Sequence, residues 1–290
     1  MRRRTSHFIA VALLATACSS TTSDSSSTTE PSSTTSTSTT LPSDEICKIG
    51  DLRFGEEGLV AALGEDVGDA NTISSIRWEA SASCERLTVA FASSSGAPAS
   101  SLGPTGVSVL AFAGVIRIQL PPELDFTAIA DMLAEGELVH RVFVVRSMDG
   151  NLSIDIHAVE QQAIAARAFT TGSPSTLVID IAAADTPSTR SEGATSPVAI
   201  VMTPSPGPAL YPVSIEGYAA PGAKRLEIDF IGADDFTANR TIQLIGFNDA
   251  WQGFTSVITD GPQGETTLFV GTHGPEGDQD EGVIVVLDLP

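Results

Sequence analysis

Two β-branched runs, residues 138–147 and 151–159, flank the tripeptide Met148-Asp149-Gly150. Alternating apolar residues on both sides of an Asp-Gly pair predict a β-hairpin. With Asp149-Gly150 as a two-residue turn, Val145 opposes Ile154 and Phe143 opposes Ile156, which gathers apolar side chains on one face. Asp155 and His157 then share the other face, with Arg146 diagonal to Asp155 and His140 opposite Val159.

The same grammar extends through most of the 290 residues. Segments 86–93, 106–120, 164–170 and 176–182 read as further strands of a β domain spanning residues 45–184. Two helices are expected within it, one near 56–63 and one over 124–135, where Leu124, Ile129, Met132 and Leu133 fall on one side. Residues 185–197, rich in Thr, Ser, Pro, Gly and charge, read as a linker. Segments 211–217, 225–231, 241–247, 253–258, 265–270 and 282–289 are short strands between Gly, Pro and Asp turns, a spacing that suggests a sandwich of immunoglobulin size over 198–290. The expected fold is therefore mainly β, with two β-sandwich domains.

The N-terminus reads as an address. Arg2, Arg3 and Arg4 precede a short apolar stretch, residues 8–14, too short to span a bilayer and of signal-peptide size. Ala15-Thr16-Ala17-Cys18 resembles a bacterial lipobox, so residues 1–17 are expected to be a lipoprotein signal peptide and Cys18 the lipidated residue. Ala15-Thr16-Ala17 is also an A-x-A cleavage site, which makes plain secretion the alternative. Residues 18–43 form a Ser/Thr-rich tether. From 19 to 43, 20 of 25 residues are Ser or Thr, a composition that cannot bury enough apolar surface to offset chain entropy. The expected location is the outer face of the cell membrane, reached by export. Cys47 and Cys84 then remain as an even pair in an oxidising compartment and are expected to form a disulfide.

Runs CERLTVAFA (84–92), VIRIQLP (115–121), LVHRVFVVRS (138–147), DGNLSIDIH (149–157), AARAF (165–169) and SPSTLVIDI (173–181) resemble an AMIN-like domain of actinobacterial exported proteins. The resemblance implies a β-sandwich that engages peptidoglycan or an envelope partner, and it carries no agreed contact residues. TPSPGPALYPVSIEGYA (203–219), with Trp251-Gln252-Gly253-Phe254 and the terminal strand 283–289, resembles the Gmad-type immunoglobulin-like domain of bacterial envelope and spore-germination proteins. That likeness implies an accessory binding or scaffolding module.

Charge excludes one class of partner. The chain holds 15 basic against 36 acidic residues, a formal charge of −21, with no basic run beyond Arg2–Arg4, so nucleic acid is not expected. HExxH, G-x-S-x-G, Walker and G-x-G-x-x-G motifs do not occur, and no enzyme activity or cofactor is expected. His140, Asp155 and His157 are candidates for a metal set, though an exposed polar sheet face accounts for them equally. Asp278 and Asp280, in a glycine-containing acidic run, are candidates for calcium, but the run lacks the EF-hand order and an ordinary solvated turn explains it. Trp251 and Tyr218 are candidate contacts for a glycan or a partner, set against core packing for Trp251. The functional expectation is a non-catalytic cell-envelope lipoprotein that binds cell wall or an envelope protein. A small-ligand or calcium-binding surface receptor is the alternative, and an unrecognised hydrolase the third reading.

Overall fold

The computed structural model describes residues 47, 53–81, 83–185, 194–232 and 237–290. The expected signal peptide, Cys18, the expected tether and most of the expected 185–197 linker lie outside the described residues. Residues 41–290 belong to one compact unit.

The regular secondary structure of the described residues is almost entirely strand. In chain order these are β1 (Gly58–Leu63), β2 (Ala70–Ala80), β3 (Glu85–Ser93), β4 (Thr105–Leu110), β5 (Val115–Gln119), β6 (Phe126–Thr127) and β7 (Asp131–Leu133). Then come β8 (Val139–Arg146), β9 (Leu152–Ala158), β10 (Ile164–Thr171), β11 (Thr176–Ala183), β12 (Ala194–Thr195), β13 (Ala199–Thr203) and β14 (Gly207–Pro208). The last are β15 (Val213–Ala219), β16 (Arg225–Gly232), β17 (Thr237–Gln243), β18 (Trp251–Ile258), β19 (Gly264–His273) and β20 (Gln279–Leu289). A mainly β, sandwich-like fold is thus observed.

Three sheets organise it. A long sheet runs β1-β4-β5-β9-β8-β18-β15-β13-β12, with β7 added beside β8. It joins the two halves of the sequence, because β18 pairs in parallel with β8 at Trp251↔Val145 and Gln252↔Arg146. A five-stranded sheet, β10-β11-β3-β2-β6, packs under its first half around Ile116, Ile118, Val142, Val144, Ile154 and Ile156. The other, β14-β20-β19-β16-β17, packs under its second half around Val213, Ile215, Phe254, Ile228, Leu268 and Val285. The parity of β8 and β18 puts both cores on the same side of the long sheet. Its opposite face is left for the polar and aromatic residues described below.

Strand alternation explains the pairing. In β20 buried apolar residues alternate with exposed ones, a half-buried pattern with period two, whereas β8, β9 and β11 are buried on both faces over most of their length. Cys47 and Cys84 are bonded, and Arg167 donates to the carbonyl of Cys47 while pairing with the buried Asp180.

Several sequence expectations are corrected. The 56–63 segment is not a helix: β1 pairs antiparallel with β4, from Gly58↔Val109 to Leu63↔Thr105. Residues 124–135 are not helical either. Thr127 Oγ1 bonds the backbone carbonyl of Ile129 at 2.7 Å and accepts its N–H at 3.1 Å, a local alternative to helical bonding. β7 then adds to β8, so tertiary pairing overrides helix propensity. The strand expected at 241–247 is shifted to β17, because Gln252 Oε1 accepts the N–H groups of Ile245 and Gly246 and holds that stretch as a loop.

The hairpin slips by one. Ser147 N–H donates to Asn151 C=O at 2.9 Å, and Gly150 N–H donates to Ser147 C=O at 3.0 Å, closing a three-residue loop rather than a two-residue turn. Gly150 takes φ +88°, a left-handed conformation that suits glycine at that loop position. Phe143 consequently opposes Asp155 and Val144 opposes Ile154. Arg146 opposes Leu152 rather than lying diagonal to Asp155.

Candidate functional site

The side of the long sheet away from both cores carries Arg117 and Gln119 on β5, Ser153, Asp155 and His157 on β9, and Phe143 and Val145 on β8. It continues across the seam with Trp251, Gly253 and Thr255 on β18, then Glu216 and Tyr218 on β15. Register alone places them together, since cross-strand partners share a face.

Asp155 is fully buried, which requires its charge to be paired and hydrogen-bonded. Arg117 supplies a bidentate pair, Nε to Oδ1 at 2.9 Å and Nη2 to Oδ2 at 2.6 Å. Tyr218, from the other half of the chain, donates its hydroxyl to Asp155 Oδ2 and lies 3.4 Å from His157 Nε2. Burial pushes the Tyr218 phenol well above its ordinary range, and the Asp155 carboxylate raises it further. Hydrogen bonding to Asp155 holds the Arg117 guanidinium even more firmly protonated.

An aromatic cluster seals this arrangement. The Phe143 ring lies 5.0 Å from His157, 5.7 Å from Tyr218 and 5.3 Å from Trp251, with edge-to-face or tilted geometry. Trp251 Nε1 donates to Asp131 Oδ2 at 2.7 Å, and Arg141 pairs with the same carboxylate while its guanidinium lies over Phe143. Arg146 bonds Asp249 at 2.7 Å. Side-chain hydrogen bonds therefore tie the halves together, among them Tyr218 to Asp155, Trp251 to Asp131, Arg146 to Asp249, and Gln252 Nε2 to Met148 Sδ at 3.2 Å.

Beside the cluster the bent sheet encloses a groove of about 770 Å³. Its lining includes Arg117 and Gln119 of β5, Glu216 of β15, Thr255 of β18, and Met148 and Asp149 of the hairpin loop. The Arg117 side chain is 34% exposed, so the cation that balances Asp155 also faces the groove. Gly217 keeps β13 and β15 close, because a Cβ there would sit 1.9 Å from the carbonyl oxygen of Ile200.

No family model matches the sequence, and no curated protein matches it either.

The structure separates the expected site residues. Trp251 and Tyr218 are each 3% exposed, so neither offers a ring face to a sugar; both are packing and hydrogen-bonding elements of the seam. Asp155 and His157 are buried together, whereas His140 is exposed at a β8 bulge and does not join them. Asp278 and Asp280 are exposed around the β19–β20 turn, where Gly274 N–H donates to the Asp278 carbonyl. Among the described residues no three His, Cys, Asp or Glu side chains converge as a metal set.

Sequence reading passed over Arg117, Asp131, Glu216 and Asp249. Arg117 carried a usable signal: an arginine between Ile116 and Ile118 on a central strand needs a buried acid opposite, and Asp155 occupies that place. Asp131, Glu216 and Asp249 acquire meaning only from contacts or lining residues about a hundred or more positions away in the chain.

Proposed function

We propose that this chain is a non-catalytic cell-envelope lipoprotein, a binding or scaffolding module for cell wall or an envelope protein. In this reading it is exported, lipidated at Cys18 and held by the Ser/Thr tether at the outer face of the membrane. The AMIN-like and Gmad-type segments are its β body.

The observation that carries the reading is the Arg117–Asp155–Tyr218 cluster together with the groove beside it. Asp155 is consumed in bracing the two halves, and the brace shapes a concave, preformed surface. Preformed concavity on rigid strands suits recognition. The Cys47–Cys84 disulfide agrees with export, since such bonds persist in oxidising compartments.

The groove also favours the second reading, a small-ligand receptor, because its volume falls within the roughly 300–1,000 Å³ of ordinary ligand sites. Co-sedimentation of residues 41–290 with purified cell-wall sacculi, with and without calcium, tests the first reading. Retention that is lost when the groove is filled supports it. Passage of all protein into the supernatant removes cell wall as the ligand. Calcium-dependent retention directs attention to Asp278 and Asp280.

A further inference from the structure

We propose that the seam groove is a binding site for short zwitterionic peptides, with the ligand carboxylate at Arg117 and the ligand ammonium at Glu216. The proposal rests on reading the groove as the binding surface, and it names the chemistry that this surface recognises.

Arg117 spends Nε and one hydrogen of Nη2 on Asp155. A guanidinium has five N–H donors, so the Nη1 end remains available to a second carboxylate in the same plane. The buried Asp155 and Tyr218 fix the plane of that guanidinium, which lowers the entropic cost of a further ion pair.

Glu216 supplies the opposite charge. It lies two residues before Tyr218 on the same face of β15, about 7 Å along the strand, and is exposed. Tyr218 reaches the carboxylate that Arg117 holds, and Arg117 and Glu216 line the same cavity. An extended tripeptide spans about 10 Å, which sets its ammonium and carboxylate apart at separate points of the lining.

The rest of the lining fits a peptide better than a sugar. Gln119 and Asn151 offer amides to backbone groups, and Met148 and Met202 offer adaptable thioethers to varied side chains. Sugars prefer exposed ring faces, but the rings at this face are buried. Asp149 on the loop adds a second negative charge and disfavours a purely anionic ligand.

Gly253 provides a clean probe. A Cβ there would meet Val145 Cγ1 at 3.6 Å and the Arg146 carbonyl oxygen at 3.8 Å, both ordinary contacts, and it would start from a residue that lines the groove. Titration calorimetry on residues 41–290 would compare trialanine, N-acetyl-trialanine and trialanine amide. We expect trialanine to bind and each blocked peptide to bind about tenfold more weakly, the loss expected of one charge-assisted contact. Glu216→Gln should erase the penalty of acetylation while keeping that of amidation. Gly253→Leu should abolish binding with the melting temperature unchanged. Absence of trialanine binding up to about 10 mM, or equal affinity for blocked and free peptides, overturns the proposal. Sacculus retention without trialanine binding would sink this inference alone. Trialanine binding without retention would sink the cell-wall reading and leave the groove chemistry standing.

Discussion

The hydroxyl of Tyr218 on β15 donates to the carboxylate of Asp155 on β9, although β8 and β18 lie between them in the same sheet. Neighbouring strands sit about 4.8 Å apart, so three steps across a flat sheet would separate the two backbones by about 14 Å. A tyrosine and an aspartate cannot bridge that span. The sheet must therefore bend at the β8–β18 seam, where only two residue pairs join the halves. The bend creates the groove.

Removing either partner should loosen the seam. Tyr218→Phe leaves Asp155 with Arg117 but without one charge-assisted donor, and should cost about 1.5–3 kcal/mol in urea unfolding. Asp155→Ala strands the Arg117 guanidinium in a largely buried setting and should cost about 3–5 kcal/mol. Equal, small effects from both substitutions would contradict the role of this pair.

Alkaline titration reports the same contact. Tyr218 has a raised folded-state pKa, so its contribution to stability is complete below the unfolded value near 10 and is lost as pH rises through the higher folded value. Tyrosinate absorbance should show one phenol titrating far later than a free tyrosine. In Tyr218→Phe that late transition should vanish. The remaining phenol, Tyr211, is itself raised by burial and by Asp260.

Acid acts elsewhere. The Asp69 carboxylate accepts the backbone N–H groups of Ser101 and Ser100 at 2.9 Å each, and these bonds hold its pKa below the usual carboxylate range. The stabilisation is present above the unfolded pKa of about 3.9 and is lost as pH falls through the lower folded value. Hydrogen exchange at Ser100 and Ser101 should accelerate in that window. Asp69→Asn should show fast exchange there at neutral pH.

Reduction should weaken the first half. Cys47 and Cys84 are 37 residues apart, and closing a loop of that length stabilises a chain by about 4 kcal/mol in the chain-entropy account. A reductant should lower the melting temperature, and the double Cys47→Ser, Cys84→Ser variant should lose the response.

Export makes a separate prediction. If Cys18 is the lipid acceptor, Cys18→Ala should abolish labelling by radioactive palmitate and move the protein from the membrane fraction to the medium. Palmitate labelling that survives the substitution would refute lipidation at this residue.

Much of the strand inventory was legible because period two is a local property. Residues 86–93, 164–170, 176–182 and 225–231 all read as strands from alternation alone, and each lies within an observed strand. Segments 56–63 and 124–135 misled because their apolar spacing also suits a helix, and only a partner strand decides between the two. Register misled for a related reason. Asp149-Gly150 announces a turn, but loop length is set when Ser147 and Asn151 pair, and one residue of slip moved Phe143 from Ile156 to Asp155.

The sequence by itself determined the β class, the cysteine pair and the presence of a hairpin at 148–150, because alternation, cysteine parity and turn chemistry are encoded in near neighbours. Tertiary structure alone decided that the two halves share one sheet, that Trp251 and Tyr218 are buried, and that Arg117 and Glu216 face one groove. These outcomes depend on which strand lies beside which. Pairing free energy comes from residues about a hundred positions apart, and no local pattern records it.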